Sequence, residues 1–199
     1  MTLSMPDVSV VIPAYRSEPT IGRLLDGLAE HLATEALQIV VVVDGCTDGT
    51  ERAVRTAAAR LSPSVQLDLV VLTRNFGEHA AVLSGLSIAE GGIVITMDDD
   101  LQHRPEDARR LLHELLRAPD LDVVYGQFPI KRHSWFRNVG SRMIDRLVSS
   151  ATGKPREVRI TTFRALRHDT ARRISDIGGP APYIDGLLLQ MTDRIGGVP

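Results

Sequence analysis

The chain of 199 residues has little cysteine, few aromatic side chains and no long hydrophobic run. Cys46 is its only cysteine, which excludes an internal disulfide and a cysteine-built metal site and fits a reducing compartment. The longest aliphatic run, residues 39–43, is far shorter than the ~20 apolar residues that span a bilayer. Residues 1–7 lack a basic start followed by an apolar stretch, so no secretory signal is expected. With 43% hydrophobic and 24% charged residues, the composition is that of an ordinary globular domain.

The net charge of −2 conceals an uneven distribution of charge along the chain. Residues 1–130 have a net charge of −9, whereas residues 131–173 have a net charge of +9. A basic block in an acidic chain favours a phosphate-bearing partner, which could be a nucleotide, a nucleic acid or an anionic membrane. The alternative is a solvated helix face whose charges are paired with each other. Composition alone leaves these interpretations open.

Short aliphatic strands alternate with helical patterns along the first 126 residues. The predicted strands are 8–14, 37–43, 65–73, 93–97 and 123–126. Helices are predicted from Ile21, through Val54 and Leu61 after a turn at 44–50, over 78–89, and from Pro105 with Leu111, Leu112, Leu115 and Leu116 as its apolar residues. This alternation predicts an α/β fold with a doubly wound, mostly parallel sheet flanked by helices in a single Rossmann-like domain. After residue 130 an amphipathic helix over 135–147 and a short strand containing Phe163 are expected.

Polar residues follow three of the predicted strands. Ligands of doubly wound sheets bind beyond the carboxyl ends of the strands, so residues 13–15, Asp44 and residues 98–100 are expected to converge on one crevice. Three carboxylates in sequence repel one another, but a turn could bring those of Asp98 and Asp100 onto one hard divalent ion such as Mg²⁺ or Mn²⁺. The alternative is a solvated loop that caps the helix from Pro105.

Six sequence motifs resemble those of a known family. Residues 96–106, TMDDDLQHRPE, resemble the D-x-D-L-Q-x-x-P-E signature of glycosyltransferase family 2. Residues 10–15 resemble that family's opening strand, and residues 43–50 resemble its D-D-G-S-T-D-G-T turn. Residues 73–81 are similar to the R-N-F/Y-G segment of the polyprenyl-phosphate (dolichyl- and undecaprenyl-phosphate) branch, and 134–144 and 163–167 continue the match. The resemblance covers about residues 8–175 and implies a GT-A fold.

The resemblance also implies roles for individual residues. The nucleotide would be held by Pro13, Ala14, Tyr15, Asp44, Arg74, Asp98 and Asp99. A Mg²⁺ or Mn²⁺ ion on the diphosphate would be held by Asp98, Asp100 and Gln102. The acceptor phosphate would lie near Arg137 and Ser141. The residues implied to be catalytic are Asp98, Asp100 and Arg137, whereas the family position of Asp99 is often not acidic.

The implied reaction is an inverting, metal-dependent transfer of a sugar from a UDP- or GDP-linked donor to a polyprenyl monophosphate. A phosphate monoester, with its second pKa at about 6, is largely ionised at neutral pH, so this nucleophile needs no general base. The expected partners are the donor, the lipid phosphate and an anionic membrane surface, not nucleic acid, and a homo-oligomer is left open. The full-length protein is expected to be cytoplasmic, peripheral to or anchored at the inner face of the membrane. Residues 1–130 are interpreted as the nucleotide-sugar-binding half and 131–199 as the acceptor-side half, truncated before a membrane region.

The sequence departs from the family motifs at three places. Arg16 and Ser17 follow Tyr15 where the motif has P-x-Y-N-E, so a carboxylate near the nucleoside is missing unless Glu18 substitutes for it. Val43 replaces the first Asp of the Asp-Asp doublet. Residues 158–162, VRITT, lack the Asp that the family usually has there.

Two alternatives of different classes therefore remain. One is a soluble family 2 enzyme with a saccharide or small-molecule acceptor, which would need a base for the hydroxyl proton. The other is a non-catalytic nucleotide-binding module. A dinucleotide oxidoreductase is not favoured, because no G-x-G-x-x-G follows the first strand. His79, His103 and His113 share no spacing typical of metal ligands and are interpreted as structural or exposed.

Overall fold

The computed structural model of the chain describes residues 6–127, 158–177 and 183–198. The strands are β1 (Val8–Ala14), β2 (Leu37–Val43), β3 (Val65–Val71), β4 (Ile93–Thr96), β5 (Val123–Gly126), β6 (Arg164–Arg167) and β7 (Ile195–Val198). The helices are α1 (Ile21–His31), α2 (Thr50–Ala58), α3 (Glu78–Leu86), α4 (Pro105–Arg117), α5 (His168–Ile177) and α6 (Ile184–Met191). None of these described helices has the length and hydropathy needed to cross a membrane.

The strands form one seven-stranded sheet in the order β3-β2-β1-β4-β6-β5-β7. Strand β1 pairs in parallel with β2 and β4, and β2 pairs in parallel with β3. Strand β6 is antiparallel to both of its neighbours, β4 and β5, and β7 is parallel to β5. The predicted doubly wound, mostly parallel sheet is confirmed.

Helices cover both faces of the sheet, which explains the nearly continuous aliphatic composition of β1 and β2. Ile12 and Val41 pack on one face, in a core with residues of α1, α2 and α4. Val11 and Val42 pack on the other face, in a core with residues of α3, α5 and α6. The close approach of α3 depends on Gly85, where an added Cβ would lie 2.3 Å from a methyl group of Val11.

The element boundaries differ from the prediction at several places. Strand β3 ends at Val71, helix α2 ends at Ala58 and helix α3 ends at Leu86, each two or three residues earlier than predicted. Leu116 was predicted to lie on the apolar face of α4 but is 57% exposed. It lies beside the buried stripe, whose last residue is Leu115, on a part of the helix surface that faces solvent. Phe163 immediately precedes β6 and is not part of it. The predicted helix over 135–147 lies outside the described residues.

A buried ionic network ties α6 to the antiparallel part of the sheet. The guanidinium of Arg164 and the hydroxyl of Tyr125 both donate to Oδ1 of Asp185, the hydroxyl over 3.0 Å. Arg164 is 1% exposed and Asp185 is 5% exposed, so neither charge is solvated by bulk water. Burial raises the pKa of Tyr125 far above its ordinary value, and the Asp185 carboxylate adds to the shift, so this phenol remains a hydrogen-bond donor.

We expect Arg164→Met to lower the free energy of unfolding by about 3–5 kcal/mol, because it leaves Asp185 as a buried charge without its cation. The matched control is Arg60→Met, which breaks an ion pair with Asp26 whose side chains are about half exposed. That control should cost less than about 1 kcal/mol. Urea denaturation of both variants measures the difference, and equal losses in the two variants would contradict the assignment.

Candidate active site

The loops that follow four parallel strands meet at the carboxyl edge of the sheet. Strands β1, β2, β3 and β4 all run in the same direction, so their last residues lie side by side. Tyr15, after β1, donates its backbone N–H to Oδ2 of Asp99, after β4, over 3.0 Å. Asp44, after β2, contacts the loop after β3. The predicted convergence of these segments is therefore present in the fold.

Asp44 is 3% exposed and holds the loop that leads into α3. Its Oδ1 accepts the N–H of Phe76 over 2.7 Å, and its Oδ2 accepts the N–H of Gly77 over 2.9 Å. Gly77 is the N-cap residue of α3, so the carboxylate also lies at the positive end of that helix. Sequence reasoning missed this positioning role. The expected contact of Asp44 with a nucleoside stays a prediction.

The turn after β2 lies directly against the segment that contains Arg74. Gly45 has a φ of +60°, and an added Cβ at this position would lie 2.0 Å from the backbone carbonyl carbon of Arg74. Only glycine fits both the backbone conformation and this approach. The Arg74 guanidinium lies over the ring of Phe76, 4.6 Å from its centroid, and this ring is half exposed. A cation and an aromatic face are therefore presented at the edge of the sheet.

Asp98 is held by Thr162, which belongs to the segment 158–162 that lacks the family's usual Asp. The Thr162 hydroxyl donates to Oδ2 of Asp98 over 2.6 Å, and the Thr162 carbonyl oxygen accepts the Thr96 hydroxyl over 2.6 Å. His103 Nε2 lies 3.8 Å from the same Asp98 oxygen, and its ring stacks on Phe163. Burial lowers the pKa of His103, although the Asp98 carboxylate opposes the shift, so the imidazole is mostly neutral at pH 7.

Asp99 points to the loop after β1. Its Oδ2 accepts both the Tyr15 N–H and the hydroxyl of Ser17. Ser17 is buried, and its own N–H donates to Oγ1 of Thr50 at the start of α2 over 2.9 Å. Burial raises the pKa of Asp99, while the hydrogen bonds from Ser17 and Tyr15 act in the opposite direction. Asp99 therefore connects two loops of the site.

Glu18 does not supply the carboxylate that the motif places at position 17. Its Oε2 accepts the N–H of Gly49 over 3.1 Å, and its Oε1 pairs with Arg52 over 2.8 Å. Both partners belong to the start of α2, where an acidic group is favoured by the helix dipole. The condition under which Glu18 would substitute for the missing acid is therefore not met.

Asp100 forms a local turn with Gln102. Its Oδ1 accepts the Gln102 backbone N–H over 2.9 Å and its Oδ2 accepts the side-chain amide over 2.6 Å. Leu101 between them has a φ of +61°. The carboxylates of Asp98 and Asp100 and the amide oxygen of Gln102 are the donor types that Mg²⁺ and Mn²⁺ prefer, so these residues fit the expected cation. No cluster of three His, Cys, Asp or Glu ligands occurs in the described ranges.

The fold thus brings most of the predicted site residues to one edge. Those that lie there are Pro13, Ala14, Tyr15, Asp44, Arg74, Asp98, Asp99, Asp100 and Gln102. Arg137 and Ser141 lie outside the described residues. Sequence reasoning missed Ser17, Thr162 and His103 as partners of the acidic loop. The signals in the sequence were that Ser17 replaces a motif acid, that Thr162 lies in the segment lacking the family's usual Asp, and that His103 follows Asp98 by five positions.

Curated relatives of the chain transfer sugars to a lipid phosphate. The chain is 37% identical over 158 residues to an undecaprenyl-phosphate 4-deoxy-4-formamido-L-arabinose transferase of Yersinia pestis, a match that covers 77% of this chain and 47% of the relative. An enzyme of the same name from Yersinia pseudotuberculosis gives the same identity and coverage. The chain therefore spans about half the length of the curated relatives it matches.

Solved structures with the same fold include nucleotide-sugar enzymes. A mannosyltransferase from Pyrobaculum calidifontis in complex with GDP-Man and Mn²⁺ is 27% identical, with a TM-score of 0.69 over 98% of this chain and 55% of that protein. Glucosyl-3-phosphoglycerate synthase from Mycobacterium tuberculosis, in complex with Mn²⁺, UDP-Glc and phosphoglyceric acid, is 19% identical, with a TM-score of 0.68 over 96% of this chain and 69% of that protein. The second likeness concerns the fold alone.

The expected GT-A architecture is confirmed by these structures together with the strand order. The family model for Glycosyl transferase family 2 matches residues 9–178, which is most of the chain. The motifs from which the family was predicted all lie within or at the border of this range. The chain belongs to glycosyltransferase family 2.

Proposed function

We propose that this chain is the catalytic, nucleotide-sugar-binding part of a metal-dependent inverting glycosyltransferase that acts on a polyprenyl monophosphate. The observation that carries the proposal is the convergence of Asp44, Arg74 and the acidic loop after β4 at one edge of the sheet. The lipid-phosphate acceptor is supported by the relative that is 37% identical. The donor is a UDP- or GDP-linked sugar, in keeping with the neighbour that was solved with GDP-Man.

The donor nucleotide is proposed to bind across the loops after β1, β2 and β3. Tyr15 is exposed at this edge, and the Arg74 guanidinium supplies a positive charge there. A guanidinium can donate two parallel hydrogen bonds to a phosphate group, which suits it to the diphosphate. The remaining proposed contacts are Pro13, Ala14, Asp44 and Asp98, while Asp99 contacts Tyr15 and Ser17 beside them.

The diphosphate end of the donor is proposed to lie at the acidic loop. Asp98, Asp100 and Gln102 would hold Mg²⁺ or Mn²⁺ there, and the Thr162 hydroxyl fixes the orientation of the Asp98 carboxylate. When bound, the cation offsets the negative charge that develops on the leaving nucleoside diphosphate. The side chains themselves would orient the diphosphate so that the anomeric carbon faces the acceptor.

The acceptor half is proposed to lie in residues 131–199, with Arg137 and Ser141 near the lipid phosphate. An ionised phosphate oxygen has no proton to lose, so the reaction tolerates Thr162 where the family usually has an Asp. The +9 charge of residues 131–173 would attract both the lipid phosphate and an anionic leaflet, at about 1 kcal/mol per basic residue near the surface. The enzyme is accordingly proposed to work at the cytoplasmic face of a membrane.

The first prediction concerns the metal. Asp98→Ala or Asp100→Ala should abolish the strengthening of UDP or GDP binding by Mn²⁺, because each removes a proposed ligand, while circular dichroism shows an intact fold. Asp99→Ala should retain that Mn²⁺ dependence, since its carboxylate is committed to Tyr15 and Ser17. Calorimetry with and without a chelator measures how much Mn²⁺ strengthens nucleotide binding in each variant. An equal loss of Mn²⁺ dependence at all three positions, or no loss at any, contradicts the assignment.

The second prediction concerns the donor pocket. Asp44→Ala should weaken nucleotide-sugar binding by roughly 1–3 kcal/mol, because it removes a charged acceptor and releases the N–H groups of Phe76 and Gly77. Asp120→Ala is the control, since this exposed residue precedes β5 at the opposite edge of the sheet. An Asp44→Ala affinity equal to that of the control, measured by calorimetry, would remove Asp44 from the site.

The third prediction concerns the acceptor side. The chain should sediment with anionic vesicles at low salt, and less so as the Debye length shortens to about 8 Å at 0.15 M. Zwitterionic vesicles are the control. Arg137→Ala should reduce transfer to polyprenyl phosphate much more than it reduces nucleotide binding. Indifference to anionic vesicles at every salt concentration, together with intact transfer by Arg137→Ala, would favour the soluble saccharide-acceptor alternative.

A further inference from the structure

One carboxylate oxygen joins the loop after β1 to the loop after β4. Oδ2 of Asp99 accepts the backbone N–H of Tyr15 over 3.0 Å and also the hydroxyl of Ser17. The two donors are two residues apart and flank Arg16. A single acceptor atom therefore fixes both the backbone and a side chain of the segment 15–17.

Both loops adopt backbone conformations that must be held by their surroundings. Arg16 has a φ of +57° and Leu101, two residues after Asp99, has a φ of +61°. The left-handed region is disfavoured for residues with a Cβ, and it persists where neighbouring contacts over-determine the local structure. On each side of Arg16, one contact ends on Asp99. Loss of the Asp99 oxygen would therefore remove a contact on each side of a conformation that the segment does not prefer by itself.

Ser17 extends the connection to a third loop. Its N–H donates to Oγ1 of Thr50 over 2.9 Å, and the Thr50 hydroxyl donates to Oδ1 of Asp48 over 2.7 Å. Ser17 is 4% exposed and Thr50 is fully buried, so these bonds are shielded from competition by water. Asp99 is thus the outer end of a hydrogen-bonded chain that crosses the loops after β1, β2 and β4.

We propose that Asp99 is a positioning residue for the donor nucleotide. It holds the segment 15–17 in its binding conformation and does not ligate the cation, although it lies between two residues that are proposed to do so. The inference rests on the proposed function, because Tyr15 is a proposed nucleotide contact. Ser17 stands where the motif has an acid, and in this chain its hydroxyl donates to the acid at position 99.

The two acids next to Asp99, which are the proposed metal ligands, have hydrogen-bond partners of their own. The Asp98 carboxylate is oriented by Thr162, and the Asp100 carboxylate is oriented by Gln102. Neither of these contacts involves Asp99 or the segment 15–17. Removal of the Asp99 carboxylate should therefore loosen the segment 15–17, while Asp98 and Asp100 keep their hydrogen-bond partners.

The test compares Asp99→Ala with the isosteric Asp99→Asn. Calorimetry measures the affinity of each variant for UDP and GDP with Mn²⁺, and electron paramagnetic resonance measures its affinity for Mn²⁺ alone. Asp99→Ala should bind the nucleotide about tenfold more weakly, as expected for loss of the hydrogen bonds that hold the segment 15–17, with an unchanged affinity for Mn²⁺. Asp99→Asn should remain close to wild type, because the one oxygen of Asn can accept both bonds. Asp120→Ala is the matched control.

Ser17→Ala provides an independent arm should Asp99→Ala fold poorly. It removes only the hydroxyl donor and should also weaken nucleotide binding, by several-fold. The double variant Ser17→Ala with Asp99→Ala should bind no more weakly than Asp99→Ala alone, because the two residues act through one contact.

The outcomes separate this inference from the proposed function. Nucleotide binding as tight in Asp99→Ala or Ser17→Ala as in a wild-type chain that binds UDP or GDP overturns the inference alone. It is likewise overturned if Asp99→Asn is as weak as Asp99→Ala, or if Asp99→Ala loses affinity for Mn²⁺, since either result marks a charge or ligand role. A wild-type chain that binds neither UDP nor GDP with Mn²⁺ overturns the proposed function and this inference together.

Discussion

The parallel pairing of β1 with β2 and β4 is the constraint on which the site depends. It places the carboxyl ends of these strands at one edge, so residues distant in sequence become neighbours without any loop having to reach far. The pairing in turn depends on burial of both faces of the sheet, which the aliphatic residues of β1 and β2 make favourable. Burial of the core therefore stabilises this strand pairing, and the strand pairing determines which loops lie next to each other.

A second constraint is the concentration of negative charge at that edge. Asp44 and Asp99 receive hydrogen bonds from backbone N–H and hydroxyl groups, and Asp98 receives one from the hydroxyl of Thr162. Neutral donors of this kind fix the direction of a carboxylate but leave its charge in place. These carboxylates therefore have a defined direction at the edge, which suits the divalent cation proposed above and, through the cation, a diphosphate. The buried pair of Arg164 and Asp185, by contrast, is internally neutralised and serves the fold.

The sequence predicted the sheet and the position of the acidic groups because both depend on local patterns. Strand β2 coincides with its aliphatic run, and Asp44 and Asp98 follow strands that the pattern already defines. The partners of those acids could not be predicted, since Tyr15 and Asp99 are 84 positions apart and are joined by loop conformations that periodicity does not encode. The exposure of Leu116 was misjudged for a related reason: helical spacing identifies a stripe but not the width that the neighbouring elements cover.

Two departures from the family motifs share one feature: each places a hydroxyl group that donates to an acid in the loop after β4. Ser17 stands where the motif has an acid, and its hydroxyl donates to Asp99. In the segment 158–162, which lacks the family's usual Asp, the Thr162 hydroxyl donates to Asp98 and adds no charge. A carboxylate at position 162 would add a second negative charge beside Asp98, whereas the hydroxyl adds none. The Thr162 hydroxyl therefore holds Asp98 without adding to the repulsion among the three consecutive acids of this loop.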